Sequence, residues 1–266
     1  MTTDQANAEF WNELCGSGLA RSLGITDGSA SSLARFDQAY VEFYPYLLRH
    51  VRLEELRDRR VLEIGLGYGT LGQRIAEVGA RYVGLDIADT PVWMMRHRLR
   101  LFGLPGSCLR GSALSLPLPP GSMDCVISIG CLHHTGDVQR GLDEVYRVLK
   151  PGGTAVLMVY NQFSYRQWTR WPMATARALS REMGLSSGRL PATEAQRRAY
   201  DRGTDGRAAP ETVFTSIRRL RRMLGRFSRV TLRKENSDNF LRLPRRVWLP
   251  SLGRCLGLDI YIRAEK

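Results

Sequence analysis

The pattern of apolar and polar positions changes in character near residue 60. Over residues 1–57, apolar side chains recur at spacings of three and four, as at Phe36, Tyr40, Phe43 or Tyr44, and Leu47. This period predicts amphipathic helices. Pro45 interrupts the stretch and predicts a break or kink in the helix that contains it. We therefore predict a helical N-terminal cap over residues 1–57.

From residue 61, short strand-like runs alternate with helical patterns. The strand-like runs are VLEIG, YVGLDI, SCLRGSA, MDCVISIG and TAVLMVY. Helical runs such as PVWMMRHRLRLFG and DVQRGLDEVYRVLKPGG separate them. This alternation predicts βαβ units and a parallel sheet. Two later runs, RVTLRKE and LDIYIRAEK, are expected to pair as an antiparallel edge.

The remaining stretches predict accessory structure around this sheet. Residues 184–211 are rich in Gly, Ser, Pro and Arg, which is typical of a long loop or a partly helical lid. The run ETVFTSIRRLRRMLGRF predicts an amphipathic helix. We predict that residues 58–266 form one α/β domain, with a lid at about 161–211 and an insertion at 236–256.

Composition narrows the class of protein. The 266 residues are 43% hydrophobic, as in soluble globular proteins, and the longest apolar run, AVLMVY, is too short to span a bilayer. The five cysteines show neither a CxxC pair nor zinc-ligand spacing. The polar N-terminus lacks the pattern of a signal peptide. We expect a cytoplasmic protein with reduced thiols and no metal site.

The net charge of +13 is unevenly distributed. Residues 201–266 hold 16 Lys and Arg against 7 Asp and Glu. Such a basic region suits nucleic acid, an anionic membrane surface or an acidic substrate. A solvated arginine-rich helix face explains the basic region equally well, and the charge alone does not distinguish between these possibilities.

A glycine-rich turn follows the first strand, in VLEIGLGYGT at residues 61–70. A strand, a glycine turn and a helix in this order predict a nucleotide site, because glycines admit the ligand and the helix offers unpaired N–H groups. The dinucleotide pattern GxGxxG fails from Gly65, where Thr70 takes the third glycine position. It fits from Gly67 through Gly69 and Gly72, late relative to the strand.

Two acidic residues at strand ends refine this prediction. Glu63 precedes the glycine turn, where a carboxylate would repel a pyrophosphate but attract a ligand with an ammonium and a sulfonium group. S-adenosylmethionine is such a ligand. The alternative is a solvated glutamate at a strand end. Asp86 ends the next strand, where a carboxylate binds ribose hydroxyls in either cofactor class.

Four motifs in order carry a resemblance to a known family. VLEIGLGYGT, GLDI, RGSALSLPLPPGSMDCVISIGCLHHTGD and EVYRVLKPGGTAVLMVY together resemble the class I S-adenosylmethionine-dependent methyltransferases. The most similar group is the type 11 methyltransferases, which include quinone-biosynthesis C-methyltransferases and small-molecule enzymes of bacterial secondary metabolism. The resemblance covers roughly residues 60–160. It implies a Rossmann-like, seven-stranded, mostly parallel sheet with an antiparallel final strand.

The resemblance also implies roles for particular residues. Gly65, Gly67 and Gly69 would line the methionine and ribose of S-adenosylmethionine, with Glu63 behind the amino group and Asp86 on the ribose. The other residues expected at the cofactor are Ile87, Ser112, Ala113, Gly130, Cys131 and Tyr44. Ser112 departs from the family pattern, which often has Asp there, so adenine recognition would depend on weaker contacts.

CLHHTGD supplies candidates for a general base. His133 and His134 follow the fourth strand, at the sheet edge where α/β proteins bind ligands. Related plant O-methyltransferases have a catalytic histidine that corresponds best to His133, and His134 is the second candidate. Paired histidines here also cap helices, so a structural role stays open. The candidate acceptor-binding residues are Tyr40, Tyr160, Asn161 and Trp168.

These observations predict methyl transfer from S-adenosylmethionine to an oxygen or carbon of a natural-product or lipid-like small molecule. One rival is an RNA methyltransferase, although the chain lacks the Asn/Asp-Pro-Pro-aromatic turn of enzymes that act on nucleobase amines. The other rival is a non-catalytic partner protein with the cofactor fold. The basic, apolar residues 239–257 predict a homodimer contact or acceptor access, with weak anionic membrane contact ranked lower. We do not expect nucleic acid as a partner.

Overall fold

The computed structural model describes residues 2–14, 17–185, 191–238 and 245–266. Its N-terminal region is helical, as predicted, with α1 (Thr3–Leu14), α2 (Ser17–Ser22), α3 (Ala30–Phe43) and α4 (Leu47–Val51). Pro45 lies between α3 and α4, so the proline separates two helices rather than kinking one.

A seven-stranded sheet forms the centre of the domain. Its strands are β1 (Arg60–Ile64), β2 (Arg81–Asp86), β3 (Ser107–Arg110), β4 (Met123–Ile129), β5 (Leu149–Tyr160), β6 (Arg229–Glu235) and β7 (Asp259–Glu265). Their spatial order is β3-β2-β1-β4-β5-β7-β6. β1 to β5 pair in parallel, whereas β7 is antiparallel to both β5 and β6. This topology confirms the predicted Rossmann-like sheet with an antiparallel final strand.

Helices cover both faces of the sheet. They are α5 (Thr70–Glu77), α6 (Asp89–Leu101), α7 (Val138–Val148), α8 (Tyr165–Arg170), α9 (Pro172–Glu182), α10 (Glu194–Arg198) and α11 (Ile217–Met223). Strand order reverses between β1 and β4, which are neighbours in the sheet. Open α/β sheets bind ligands at such a switch point, outside the carboxyl ends of the strands.

Alternating side chains of the strands build two cores. Leu62 and Ile64 of β1 enter one cluster, together with Leu142 of α7. Val61 enters the cluster on the opposite face, together with Ile75 of α5. Because both faces of β1 are buried after Arg60, residues 61–64 form an apolar run that only Glu63 interrupts. The carboxylate at that position therefore needs an explanation of its own.

One predicted helix is shorter than expected. The pattern over 211–227 predicts a single helix, but α11 begins only at Ile217. Ser216 caps its N-terminus, because the side chain of Ser216 accepts a hydrogen bond from the backbone N–H of Arg219. The preceding residues are extended and follow the end of β5, where the N–H of Thr215 donates to the carbonyl of Tyr160 at 3.0 Å. Tertiary hydrogen bonds therefore replace helical ones over residues 211–216.

Near the end of the sequence, the chain forms α12 (Arg245–Trp248), a π-helical turn (Leu249–Gly253) and α13 (Arg254–Leu256) between β6 and β7. They fall within the predicted insertion at 236–256, of which residues 239–244 lie outside the described residues, as does part of the predicted lid at 186–190. The proposed boundaries at 57, 161–211 and 236–256 stay predictions. Across the described ranges, no helix has the length and apolar character needed to cross a membrane.

Candidate active site

A cavity of about 360 Å³ opens at the switch point between β1 and β4. Its volume lies within the range of small-molecule sites, roughly 300–1,000 Å³. Eleven of the predicted residues line it, namely Tyr40, Tyr44, Glu63, Gly65, Gly67, Asp86, Ile87, Ser112, Ala113, Gly130 and Cys131. His134 lines it as well. The structure therefore brings most of the predicted cofactor residues and one candidate base to a single cavity.

The glycine loop has the backbone that its sequence predicts. Gly65, Gly67 and Gly69 have φ angles of +85°, +51° and +80°, the left-handed region that favours glycine. A Cβ on Gly65 would lie 2.5 Å from the Cβ of Cys131, whereas a Cβ on Gly67 would meet nothing within 4 Å. Gly65 thus brings two loops together, and Gly67 leaves open space in the cavity wall that a ligand can occupy.

Gly69 and Gly72 do not line the cavity. A Cβ on Gly69 would lie 2.8 Å from the Cδ of Arg98, and one on Gly72 would lie 2.5 Å from Oε2 of Glu63. Gly72 is therefore small because α5 packs directly against β1 and β2. The sequence from Gly67 to Gly72 matches the dinucleotide pattern, but Gly72, its last glycine, allows close packing of α5 and does not line the cavity.

Glu63 is buried, so the alternative of a solvated glutamate is wrong. The residue is 2% exposed, and the hydroxyl of Tyr82 donates to its Oε2 at 2.5 Å. Burial raises the pKa of Glu63 to about 8, although the hydrogen bond from Tyr82 opposes the rise. A cation that enters the cavity would favour ionisation of this carboxyl group. The position accordingly attracts an ammonium group and repels a phosphate.

Asp86 closes β2 beside the glycine loop. Its Oδ2 accepts from the N–H of Leu66 at 2.8 Å, and its Oδ1 accepts from the N–H of Ala88 at 2.9 Å. Burial raises the pKa of Asp86 above its ordinary value, while these amide donors oppose the rise. Each carboxylate oxygen has a second lone pair. The two oxygens are thus held in place and can still accept ribose hydroxyls.

The neighbouring residues form the rest of the cofactor end. Ser112 accepts a hydrogen bond from the N–H of Leu114 at 3.2 Å, which holds its hydroxyl beside the cavity. Cys131 lies beneath Gly65, and burial raises the pKa of its thiol to about 12. The sulfur therefore stays protonated and packs rather than reacts.

The two histidines occupy different environments. Both belong to the short 3₁₀ turn Leu132–His134 after β4. His133 is 0% exposed and is absent from the cavity wall, with its ring 4.0 Å from that of Tyr160. Burial, and then the neighbouring His134, lower the pKa of His133 well below its ordinary value. Of the two candidate bases, His134 lies in the cavity wall and His133 does not, and which of them acts as a base stays a prediction.

His134 is held by two other segments of the chain. Its Nδ1 lies 2.8 Å from the carbonyl oxygen of Glu211, so Nδ1 carries the proton and donates. Its Nε2 lies 3.5 Å from Oδ2 of Asp201. The ring also packs against Trp11 of α1, with centroids 4.7 Å apart. These contacts set both the tautomer and the orientation of the imidazole.

Three of the predicted acceptor-binding residues lie outside the cavity wall. Tyr160 lies behind it, where its hydroxyl donates to Oδ1 of Asp201 at 3.2 Å. Asn161 is buried and donates to the carbonyl of Gly257 at 2.7 Å, which is a structural contact. Trp168 is half-buried on α8. Their contact with an acceptor stays a prediction, whereas Tyr40 and Tyr44 do line the cavity.

Several wall residues carried no signal in the sequence. They come from the cap and the predicted lid: Asp4, Asn7, Trp11, Phe36 and Asp201. Asn7 is buried and donates to the carbonyl of His134 at 2.7 Å. The spacing of α1 predicts a helix, but nothing in that pattern identifies the loop it covers.

An ion pair attaches the cap to the glycine loop. Arg98 of α6 is 0% exposed, and its guanidinium donates to both carboxylate oxygens of Asp37 of α3 at 2.9 Å each. The same guanidinium donates to the carbonyl of Tyr68 at 2.7 Å, and the hydroxyl of Thr70 donates to Asp37 at 2.6 Å. The cap and the loop are therefore positioned together.

Comparisons with known proteins show what the sequence around this site is similar to. Residues 62–157 match the family described as "Methyltransferase domain". A demethylmenaquinone methyltransferase of Thermus thermophilus is 33% identical over 108 residues, 40% of this chain and 49% of that protein. A ubiquinone/menaquinone biosynthesis C-methyltransferase of Enterobacter sp. is 35% identical over 112 residues, 40% of this chain and 44% of that protein. The chain thus spans less than half the length of these curated relatives in each match.

A solved structure extends the likeness in fold. A SAM-dependent methyltransferase from Methanosarcina mazei superimposes with a TM-score of 0.54 at 19% identity, over 79% of this chain and 93% of that one. Sheet order, glycine loop and acidic strand ends define the class: the fold is that of the class I S-adenosylmethionine-dependent methyltransferases. Within this fold, residues 62–157 are the part of the chain that is similar in sequence to the methyltransferase domain family.

Proposed function

We propose that the protein binds S-adenosylmethionine and transfers its methyl group to an oxygen or carbon of a small, natural-product or lipid-like acceptor. One observation carries the proposal. Glu63 and Asp86, on neighbouring strand ends, line the same cavity as Gly67, whose missing Cβ leaves open space. The residues present fit the cofactor, with a carboxyl group for its ammonium, another for its ribose and a backbone that allows close approach.

The acidic wall argues against a dinucleotide. The ionised form of the Glu63 carboxyl group would oppose the charge of a pyrophosphate placed beside it. The bound cofactor would supply an electrophilic methyl group on a sulfonium. The side chains contribute orientation, exclusion of water and a place for the acceptor proton.

The far end of the cavity suits the acceptor. Tyr40 and Tyr44 of the cap line the cavity with ring centroids 5.0 Å apart, and Trp11 and His134, whose rings pack together, line it as well. An aromatic wall next to an acidic cofactor pocket fits a flat apolar molecule with a polar edge. The printed names of the two curated relatives refer to quinone biosynthesis, which supports a lipid-like or aromatic acceptor for this chain.

Calorimetry tests the cofactor directly. We expect S-adenosylmethionine and S-adenosylhomocysteine to bind the purified protein and NAD not to bind. Asp86→Ala should weaken binding by about 1.5–3 kcal/mol, because charge-assisted hydrogen bonds to hydroxyls are lost. Asp89→Ala, a nearby exposed aspartate on α6, serves as the matched control. Binding of NAD alone, or an unchanged affinity in Asp86→Ala, would show that the site is misassigned.

The candidate bases are separated by paired variants. Methyl transfer from radiolabelled S-adenosylmethionine to a panel of phenols and quinols is measured for His133→Asn and His134→Asn. We expect His134→Asn to lower kcat by about a hundredfold or more, with cofactor affinity nearly intact. A larger loss of kcat in His133→Asn, in a protein that unfolds like wild type, would restore the original ranking.

The basic C-terminal region is consistent with one rival function, RNA methylation. The exposed face of α11 presents Arg218, Arg221 and Arg222, which would suit RNA. Salt-dependent RNA binding above that of an unrelated basic protein would favour RNA methylation. Homodimerisation and weak anionic membrane contact also stay predictions. Sedimentation of wild type and Trp248→Ala, with and without anionic liposomes, tests both.

A further inference from the structure

A chain of four groups runs along the acceptor end of the cavity. The carbonyl of Glu211 accepts from Nδ1 of His134 at 2.8 Å, Nε2 of His134 faces Oδ2 of Asp201 at 3.5 Å, and Oδ1 of Asp201 accepts from the hydroxyl of Tyr160 at 3.2 Å. Asp201 is the more open of the two central groups, with 16% of its side chain exposed against 5% for His134. Both residues line the cavity.

The positions of the protons on these four groups follow from their hydrogen bonds. A carbonyl oxygen accepts only, so the imidazole proton of neutral His134 lies on Nδ1 and Nε2 holds a lone pair. Oδ1 of Asp201 already accepts from Tyr160. Two lone pairs, on Nε2 and Oδ2, therefore face each other, and both atoms are buried without a hydrogen-bond donor.

Buried acceptors without a donor cost free energy, and one proton placed between these two atoms relieves both. The two facing atoms can therefore share one added proton. Burial also raises the pKa of Asp201 above its ordinary value, although His134 opposes the rise. A proton taken up here ends as an imidazolium beside a carboxylate or as a carboxylic acid beside a neutral imidazole, which are the same net charge.

We propose that Asp201 and His134 act as one proton-accepting pair that activates a phenolic or enolic hydroxyl of the acceptor. This inference rests on the proposed methyl transfer. In the step, the acceptor oxygen, or the ring carbon made nucleophilic by it, forms a bond to the methyl carbon. The carbon–sulfur bond breaks, its electron pair stays on sulfur, and the hydroxyl proton passes to the Asp201–His134 pair.

The surrounding residues favour a hydroxyl on a flat ring. Trp11 packs against His134 and lines the cavity beside it, which offers a face for an aromatic or conjugated acceptor. Asn7 holds the turn from the cap by donating to the carbonyl of His134, and its buried Oδ1 has no donor. Among the residues that line the cavity, the buried atoms without a partner are Oδ1 of Asn7, Nε2 of His134 and Oδ2 of Asp201. All three are acceptors, so the complementary group on a substrate is a donor.

Tyr160 and Glu211 are positioning residues in this scheme. Tyr160 fixes the carboxylate through Oδ1, which leaves Oδ2 for His134, and the Glu211 carbonyl fixes the tautomer. Tyr160→Phe removes one hydrogen bond from Asp201 and should reduce proton uptake less than loss of Asp201 itself.

A spectroscopic experiment tests the pair without turnover. Protein loaded with sinefungin, an unreactive analogue with a cationic amine near the methyl position, is titrated with 2-naphthol at a pH where this phenol is un-ionised in water. Near-ultraviolet absorption records naphtholate. We expect the naphtholate band in wild type and at least about a tenfold smaller band in Asp201→Asn and His134→Asn. The methyl ether of 2-naphthol should bind at least about tenfold more weakly.

Asp201→Asn retains the shape of the side chain, and its amide can donate to Nε2 of His134. Its melting temperature should therefore equal or exceed that of wild type, so a lost band cannot be ascribed to unfolding. Asp205→Asn, an exposed aspartate in the same segment that accepts from the N–H of Arg207, is the matched control and should behave as wild type. Should Asp201→Asn fail to fold, His134→Asn carries the test.

Each outcome decides between the two proposals. Naphtholate in wild type and Asp205→Asn but not in Asp201→Asn supports the pair. Bound naphthol that stays neutral, no bound naphthol, an undiminished band in Asp201→Asn, or preference for the matching amine, 2-naphthylamine, overturns it. If calorimetry shows that sinefungin itself does not bind, the proposed function fails; if sinefungin binds and the band is absent, only the pair fails.

Discussion

The attachment of the cap to the glycine loop yields a quantitative prediction. Arg98 is 0% exposed, and in Asp37→Ala its guanidinium loses both hydrogen bonds to the carboxylate, which leaves Gln73 and the Tyr68 carbonyl as its acceptors. Removing one partner of a buried pair costs about 3–5 kcal/mol, because the remaining charge is uncompensated. The total free energy of unfolding of a protein domain is about 5–15 kcal/mol. Asp37→Ala should therefore lose a large share of its stability.

The same reasoning predicts a recovery in the double variant. Asp37→Ala with Arg98→Met removes the stranded charge and retains an apolar side chain, so most of the lost free energy of unfolding should return. Urea unfolding followed by circular dichroism measures all four members of the cycle. Glu42→Ala, an exposed carboxylate on the same helix paired with Gln38, should stay within about 0.5 kcal/mol of wild type. The reasoning is refuted if Asp37→Ala loses less than about 1 kcal/mol, or if the double variant is no more stable than Asp37→Ala.

Further predictions concern the loop and its carboxyl group. Gly65→Ala should lose about 2 kcal/mol or more in urea unfolding, since its Cβ would meet Cys131 at a left-handed φ, whereas Gly67→Ala should lose only about 1 kcal/mol. Gly67→Ala should instead weaken S-adenosylhomocysteine binding in calorimetry by about tenfold, because its methyl enters the cavity; the reverse order in either assay would contradict this account. Because the pKa of Glu63 is raised to about 8 in the fold from an ordinary 4.5, the folded state holds its proton longer, and wild type should lose stability relative to Glu63→Gln as pH rises from 4.5 through 8. Calorimetry at pH 7 in buffers of different ionisation enthalpy should also show proton release on S-adenosylhomocysteine binding in wild type and none in Glu63→Gln.

The cofactor end of the site could be predicted from sequence because its residues are local to the motifs. A strand that is buried on both faces shows Glu63 as an exception, and the glycine turn follows directly. Strand ends of a parallel sheet meet at one edge, so Asp86 and the residues after β4 were placed together by topology alone. The parallel sheet could also be predicted, because the alternation of strands and helices is a local pattern of the sequence.

The acceptor end could not be predicted in this way. Asn7 and Asp201 reach His134 from segments far away along the chain, and no periodicity encodes which distant turn a helix will cover. The pattern over 211–216 is helical, yet these residues pair with the end of β5 and the histidine turn. The choice between His133 and His134 depended on which ring faces inward at a 3₁₀ turn, and adjacent residues there point in different directions.

The position of β7 between β5 and β6 sets an order for folding. β6 precedes β7 in the chain but has β7 as its sheet neighbour, so during synthesis a chain that has emerged only as far as Glu235 can assemble β1 to β5 and must leave β6 without a partner. Until β7 arrives, the edge of β5 presents unpaired backbone groups and aliphatic side chains, a template for wrong pairing between nascent chains. A stop codon before Asp259 would therefore yield an aggregation-prone polypeptide rather than a slightly shortened enzyme, and the same interval makes β5 a natural place for a chaperone to hold the growing chain.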